Sequence, residues 1–431
     1  MKFVLACYGT RGDIEPLAAV GRELLRRGHE VLIAVPPDLV GFVEAAGFAA
    51  VACGPDSQAL VDPYRDFWTR FFRNFWRIRT LRRLSRELWE PIVQCFEEIS
   101  TTLTSLADGA DVLVTGGTFE EAAAVVAEYY DIPLATLHHF PIRANGQLVP
   151  ILPSPLARSA MTVNAWLFWR RTKKLENVRR RELGLPKATV PLASRIAERG
   201  WLEIQAYDEV CFPGLATEWA KWDGRRPFVG ALTLELTTDA DEEVASWIAA
   251  GTPPIYIGFG WTGVESVADT VAMISAACAQ LGERALVCTG GSDFSHVPHF
   301  DHVKVVGLVN FAATFPACRA VVHHGGTGTT AAGLRAGVPT LILSTDLFQT
   351  LWGARVKQLK VGTTRRLSTT TQKSLIADLR QILAPQYLTR AREIATRMTK
   401  SAESAAAAAD LVEILARPQG RRLVGEGGTA G

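Results

Sequence analysis

The sequence lacks the features that would put it in a membrane, a fibre or a disulfide scaffold. No apolar run reaches the roughly 20 residues a helix needs to cross a bilayer. Met1-Lys2 leads within a few residues to the charged stretch Gly9-Thr10-Arg11-Gly12-Asp13, too early for a secretory leader. The seven cysteines (Cys7, Cys53, Cys95, Cys211, Cys278, Cys288, Cys318) lie far apart, mostly inside apolar runs, with no CxxC or Cys/His spacing suited to a metal. They read as reduced core residues of a cytosolic protein. An excess of one charge is missing too, since 46 basic residues against 44 acidic leave +2. No global field draws the chain to nucleic acid, and any attraction to a membrane surface must come from local patches.

What is present is a repeated alternation. At 431 residues the chain exceeds what one core usually serves, so two domains are expected. Apolar β-type runs at 3–8, 31–35, 48–52, 111–115 and 133–137 alternate with helical spacing at 14–27, 38–46 and 120–129. A second series follows, with strands at 255–259, 285–288, 303–306, 319–322 and 340–343 and a helix at 268–281. Helical stretches at 351–359, 372–383 and 386–415 close it, the last broken near Ser401. Strands alternating with helices predict an α/β chain of two doubly wound parallel sheets, two Rossmann-like domains facing across a cleft. The expected division is a first domain 1–232, a linker 233–246, a second domain 247–400, a terminal helix 401–417 and a disordered, glycine-rich tail 418–431. Two stretches interrupt the first series. Residues 64–88 set Phe67, Phe71 and Trp76 among arginines, and Trp166-Leu167-Phe168-Trp169-Arg170-Arg171-Thr172-Lys173-Lys174 repeats the mixture on a smaller scale.

Chemistry concentrates in Val321-Val322-His323-His324-Gly325-Gly326-Thr327-Gly328-Thr329-Thr330. It reads as a strand end, a tight turn and a helix start, which aims free backbone N–H groups at whatever sits above the helix. Glycines let a phosphate come close, Thr327, Thr329 and Thr330 add hydroxyls, and His324 can donate from its ring. A plain strand–turn–helix corner with a core histidine is the competing interpretation. In the first half, Asp13 follows the first strand and opens a helix, where it can take a proton from a hydroxyl or simply cap the helix. Arg11 is its partner or a turn residue. His138 and His139 end a strand and line an acceptor site or serve as structural histidines. Asp239-Ala240-Asp241 spells a DxD that reads as a pair of helix caps, so no metal is expected.

Gly9-Thr10-Arg11-Gly12-Asp13, His323 to Thr330 and Gly333-Leu334-Arg335-Ala336-Gly337-Val338-Pro339-Thr340 together resemble the family 1 inverting glycosyltransferases of the GT-B fold. The similar branches are the sterol glucosyltransferases, the glycopeptide-antibiotic glycosyltransferases and the mycobacterial enzymes acting on glycopeptidolipids and glycolipids. The resemblance implies that Asp13 deprotonates an acceptor hydroxyl and His324 contacts the donor pyrophosphate, with His323 packed behind it. It implies a donor site made of Thr10, Gly12, Thr262, Val309, His324, Gly325, Gly326, Thr327, Gly328, Thr329, Asp346, Phe348 and Gln349. An acceptor site follows from His138, His139, Phe67, Phe71 and Trp76. Three departures narrow the donor. Phe348 stands before Gln349 where the family carries an aspartate for sugar hydroxyls, Trp261 replaces a serine, and Ala332 replaces a ribose-binding glutamate. A 6-deoxyhexose such as rhamnose on dTDP is therefore expected, with no cofactor and a lipid or lipopeptide acceptor. A cytoplasmic protein with peripheral contact at the inner face of the membrane goes with that acceptor. The alternatives are a UDP-glucose-dependent sterol or natural-product glucosyltransferase, a nucleotide-sugar epimerase, and a non-catalytic nucleotide-sugar binder.

Overall fold

The computed structural model describes residues 1–64, 83–84, 86–87, 89–148, 152–222, 224–258, 260, 267–290 and 299–417. Phe67, Phe71, Trp76, Trp261, Thr262 and the expected tail 418–431 lie outside the described residues.

The chain divides into two compact units, Met1–Leu234 with the segment from Thr399 onward, and Glu235–Met398. The first is built on six strands: β1 (Lys2–Ala6), β2 (Glu30–Val35), β3 (Ala49–Ala52), β4 (Val112–Gly116), β5 (Leu134–His138) and β6 (Leu202–Gln205). All pair in parallel, in the order β3-β2-β1-β4-β5-β6. Phe3-Val4-Leu5-Ala6 and Val112-Leu113-Val114 are continuous apolar runs because both faces of a parallel sheet are covered. The helix Arg11–Arg26 covers one face with Ile14, Leu17, Ala18, Val20 and Leu24, spaced three to four residues apart.

The second unit repeats the design with β7 (Ile255–Gly258), β8 (Ala285–Cys288), β9 (Val303–Val306), β10 (Ala320–His323), β11 (Thr340–Ser344) and β12 (Gly362–Arg366). Its order, β12-β11-β10-β7-β8-β9, is the same 3-2-1-4-5-6 arrangement read from the other edge. In each sheet the chain reverses between the first and fourth strands, β1/β4 and β7/β10. Loops leaving the carboxyl ends of those strands form the crevice where doubly wound sheets bind ligands.

Four segments add to the expected organisation. Residues 241–246 of the expected linker lie in the helix Asp241–Ala249, whose Val244 and Ile248 lie one turn apart and bury into the second core. The terminal helix Ser401–Ala416 belongs to the first unit. Arg27 Nη1 lies 2.6 Å from Asp410 and 3.1 Å from Glu413, and His29 Nε2 lies 2.7 Å from Glu413. The strands β6 and β12 were not anticipated, because Leu-Glu-Ile-Gln and Gly-Thr-Thr-Arg-Arg carry no apolar run.

Candidate active site

In the second unit the reversal point brings two loops into contact. His323 ends β10 fully buried, and its Nδ1 accepts the Gly325 N–H at 3.0 Å. Burial, with His324 alongside, holds its ring neutral. His324 is the next residue and turns out of the sheet. A Cβ on Gly260, in the loop after β7, would lie 2.8 Å from His324 Cε1, so that loop can pass the imidazole only as glycine. Burial pushes His324 down to about 4, leaving it neutral near pH 7. Its buried Nδ1 has no hydrogen-bond partner among the described residues. Gly325 sits at φ +101°, where a side chain would be strained and would strike Ile342 and Gln349.

The turn ends at Gly326, the N-cap of the helix Thr327–Ala336. Thr330 N–H closes the first helical bond on Gly326, so the N–H groups of Thr327, Gly328 and Thr329 precede any carbonyl partner within the helix. They and the helix dipole make an anion-binding end. Trp352 Nε1 donates to Thr327 Oγ1 at 2.9 Å, which leaves that hydroxyl's own proton available to an anion.

The helix Leu347–Gln358 packs its first turn against Gly325. Asp346 is its N-cap and accepts the Gln349 N–H at 2.9 Å, while Gln349 Oε1 accepts from Thr345 N and Oγ1 at 2.8 and 2.9 Å. Asp346 Oδ1 thereby orders the turn, and the apolar ring of Phe348 is 44% exposed. Val309 is buried among Tyr256, Phe315 and Val321, and the Asn310 N–H is taken by Asp241 at 2.9 Å. Asp241 also accepts from Thr238 N and Oγ1, at 2.8 and 2.7 Å. Both carboxylate oxygens of that DxD aspartate therefore serve local structure.

In the first unit, Thr10 rather than Asp13 is the N-cap of the helix Arg11–Arg26, and Gly12 follows in its first turn. Asp13 reaches back so that Oδ2 accepts from Thr10 N and Oγ1 at 2.8 and 2.9 Å. Its other oxygen, Oδ1, lies 3.7 Å from His139 Nε2, and both side chains are partly exposed. Arg11 turns away, pairing with Glu15 at 3.7 Å and lying over the Phe42 ring at 4.6 Å.

His138 is 1% exposed and does not line a surface, which corrects the expectation of an acceptor-binding role. Its Nε2 makes a short contact to Glu120, whose other oxygen takes Arg143 Nη2 at 2.7 Å. Arg143 also bonds Glu203, and Glu203 holds Arg226 at 2.6 Å. Burial raises the Glu120 carboxyl, but Arg143 and His138 outweigh it and bring it from 4.5 to about 2. His138 is thus one member of a buried ionic network and His139, one residue on, faces Asp13. Successive strand residues point to opposite sides.

Residues 3–138 match the glycosyltransferase family 28 N-terminal domain, and residues 269–417 match the erythromycin biosynthesis protein CIII-like C-terminal domain. An uncharacterized glycosyltransferase of Mycobacterium tuberculosis is 61% identical over 420 residues, covering 97% of this chain and 99% of that one. The chain belongs to the family 1 glycosyltransferases. A vancomycin aglycone glucosyltransferase of Amycolatopsis orientalis is 30% identical over 424 residues, covering 96% and 97%. The solved structure of glycosyltransferase VinC in complex with dTDP superposes with a TM-score of 0.65 at 18% identity, covering 96% and 99%. The shared fold is GT-B.

Sequence reading of this glycosyltransferase passed over several residues that set the site. Trp352 reaches the loop 324–327 from another element, and no local pattern links it there. Glu120, Arg143, Glu203 and Arg226 are charges far apart in sequence that meet only in the fold. A single outward signal was available for His139, its place just beyond the end of a strand.

Proposed function

We propose that this glycosyltransferase transfers a 6-deoxyhexose such as rhamnose from a dTDP donor to a hydroxyl of a lipid or lipopeptide, with inversion and without a metal. The observation that carries the sugar class is the turn 345–349. Asp346 caps the helix through Oδ1, and Phe348 presents an apolar ring where a hydroxyl partner would be needed for glucose. Ala332, apolar and half-buried against the core, offers no carboxylate to a ribose hydroxyl, which favours a deoxyribose nucleotide.

In this reading Asp13 Oδ1 accepts the acceptor's hydroxyl proton while Thr10 holds Oδ2. The acceptor oxygen then bonds to the anomeric carbon as the bond from that carbon to the diphosphate oxygen breaks. Negative charge collects on the departing dTDP, where His324, the Thr327 hydroxyl and the N–H groups of Thr327 to Thr329 receive it. Thr10, Gly12, Thr262, Val309 and Gln349 complete the donor site, with His139, Phe67, Phe71 and Trp76 on the acceptor side. The engagement of Asp241 of the DxD by Thr238 and Asn310 supports a reading in which that residue caps a helix rather than holding a metal. Peripheral contact with the inner face of a membrane would bring the enzyme to such an acceptor.

One observation favours a second reading, glucosyl transfer from UDP-glucose to a natural product, namely the similarity to the vancomycin aglycone glucosyltransferase. The test is transfer itself. The purified protein is incubated with dTDP-rhamnose or UDP-glucose and a panel of hydroxylated lipids, lipopeptides and aglycones, and products are read by mass spectrometry. A deoxyhexosyl product with an anomeric configuration opposite to the donor's is expected. Glucosyl transfer alone would move the assignment to the second reading, and isomerised donor without transfer would identify an epimerase.

A further inference from the structure

Twelve large apolar side chains are exposed among the described residues, and seven of them fall between Leu152 and Val178. Most stand on one helix, Ser154–Glu182. Its carboxyl-terminal half is fixed to the first unit by buried ions. Arg180 Nη1 lies 2.8 Å from Glu128, Arg195 contacts Glu176, and Arg179 donates to Ser100 and Thr104 at 2.9 Å each. The amino-terminal half is different, for none of residues 158–168 is buried. Val163, Trp166, Leu167 and Phe168 are 56%, 44%, 51% and 54% exposed.

The charges on this helix before Glu176 have one sign. Between 154 and 175 there are five basic residues, Arg158, Arg170, Arg171, Lys173 and Lys174, and no aspartate or glutamate. The cations lie along the rings, with Arg170 4.8 Å from the Trp166 centroid and Lys173 Nζ 4.5 Å from that of Trp169. A long basic side chain in that position keeps its stem on apolar surface and its charge at the water boundary.

The angular spread identifies the occupant. Consecutive helical residues turn by about 100°, so Trp166, Leu167 and Phe168 together cover roughly 200° of the helix circumference. A rigid protein groove contacts one narrow stripe of a helix, whereas a fluid lipid interface accommodates a broad apolar face with basic residues beside it. No helix among the described residues is long and apolar enough to cross a membrane, so the helix would lie in the interface. We propose that the amino-terminal half of Ser154–Glu182 docks the enzyme on an anionic lipid surface, inserting Trp166, Leu167 and Phe168 with Arg170, Lys173 and Lys174 at the headgroups. The proposal deepens the lipid-acceptor reading above. Its test reads binding without turnover, so the two fail separately.

The protein is sedimented with vesicles of phosphatidylcholine alone and of phosphatidylcholine mixed with phosphatidylglycerol, at low and high salt. Salt-sensitive binding to the anionic vesicles is expected. The triple variant Arg170→Gln/Lys173→Gln/Lys174→Gln should partition about 100-fold less well, each surface cation contributing about fivefold. Trp166→Ser/Leu167→Ser/Phe168→Ser should abolish sedimentation while its circular dichroism and melting stay those of the wild type, since these side chains pack on no buried core among the described residues. Wild-type protein that ignores anionic vesicles, or binding unchanged in either variant, overturns the proposal. So does a concentration-dependent dimer broken by the apolar variant, which would make the patch a contact between two copies.

Discussion

The two oxygens of Asp13 have different surroundings. Oδ2 is occupied by the backbone N–H and hydroxyl of Thr10, and Oδ1 faces His139 across 3.7 Å. An asparagine keeps an oxygen for the Thr10 N–H but loses the basicity. Asp13→Asn should therefore lower kcat/KM by about 10²–10⁴-fold while costing less than about 1 kcal/mol of stability. Steady-state kinetics and a melting curve check the pair. Loss of activity that only follows unfolding would reduce Asp13 to a helix cap. Sequence alone left Asp13 between base and cap, and the geometry allows both because a carboxylate has two acceptors. It left His138 and His139 unordered for a different reason. A chain reversing direction at a strand end buries one neighbour and exposes the next. Which of His138 and His139 goes inside is decided by Glu120, itself held by Arg143, and neither residue has a local signal.

Strands and helices were legible where burial dictates composition. β1, β4, β7 and β10 are apolar on both faces and sit at the sheet centres, and their runs announce them. β12 is a polar edge strand held by its backbone ladder to β11. β6 is kept in place by a buried charge, Glu203, that would read as surface in any sequence window. That network carries a stability prediction. Glu120 titrates at about 2 in the folded state against 4.5 ordinarily, so the unfolded chain takes up the proton first as pH falls. Its contribution is whole above about 4.5 and is lost as pH falls toward 2. Glu120→Gln should destabilise the protein by about 3–5 kcal/mol near neutral pH, because Arg143 and His138 lose a buried partner. The gap between variant and wild type should close over that acid window. Urea unfolding along a pH series measures it, and a gap independent of pH would mean that Glu120 serves as packing rather than as charge.

Across the whole molecule, two units with one strand order each present one chemical loop at their reversal point, Thr10 to Asp13 in the first and His324 to Thr329 in the second. The second loop was legible from glycine, histidine and threonine in close succession, and the first only together with it, through the family resemblance that the two share. The acceptor was less legible, since its expected contacts sit on aromatic-basic stretches whose composition suits a core, a lipid tail or a membrane equally. In the second stretch the exposure of Trp166 to Phe168 sets aside a core, while Phe67, Phe71 and Trp76 of the first lie outside the described residues. The account rests centrally on a nucleotide diphosphate bound by the second loop. A thermal-shift screen of UDP, dTDP, UDP-glucose, dTDP-glucose and dTDP-rhamnose on wild type and His324→Ala tests it most directly. A ligand at 100 times its Kd adds about 2.7 kcal/mol to the native state. Stabilisation by the dTDP compounds, largest for dTDP-rhamnose and lost in His324→Ala, is the predicted result. Stabilisation by no nucleotide, or by nucleotides equally in both proteins, would contradict it.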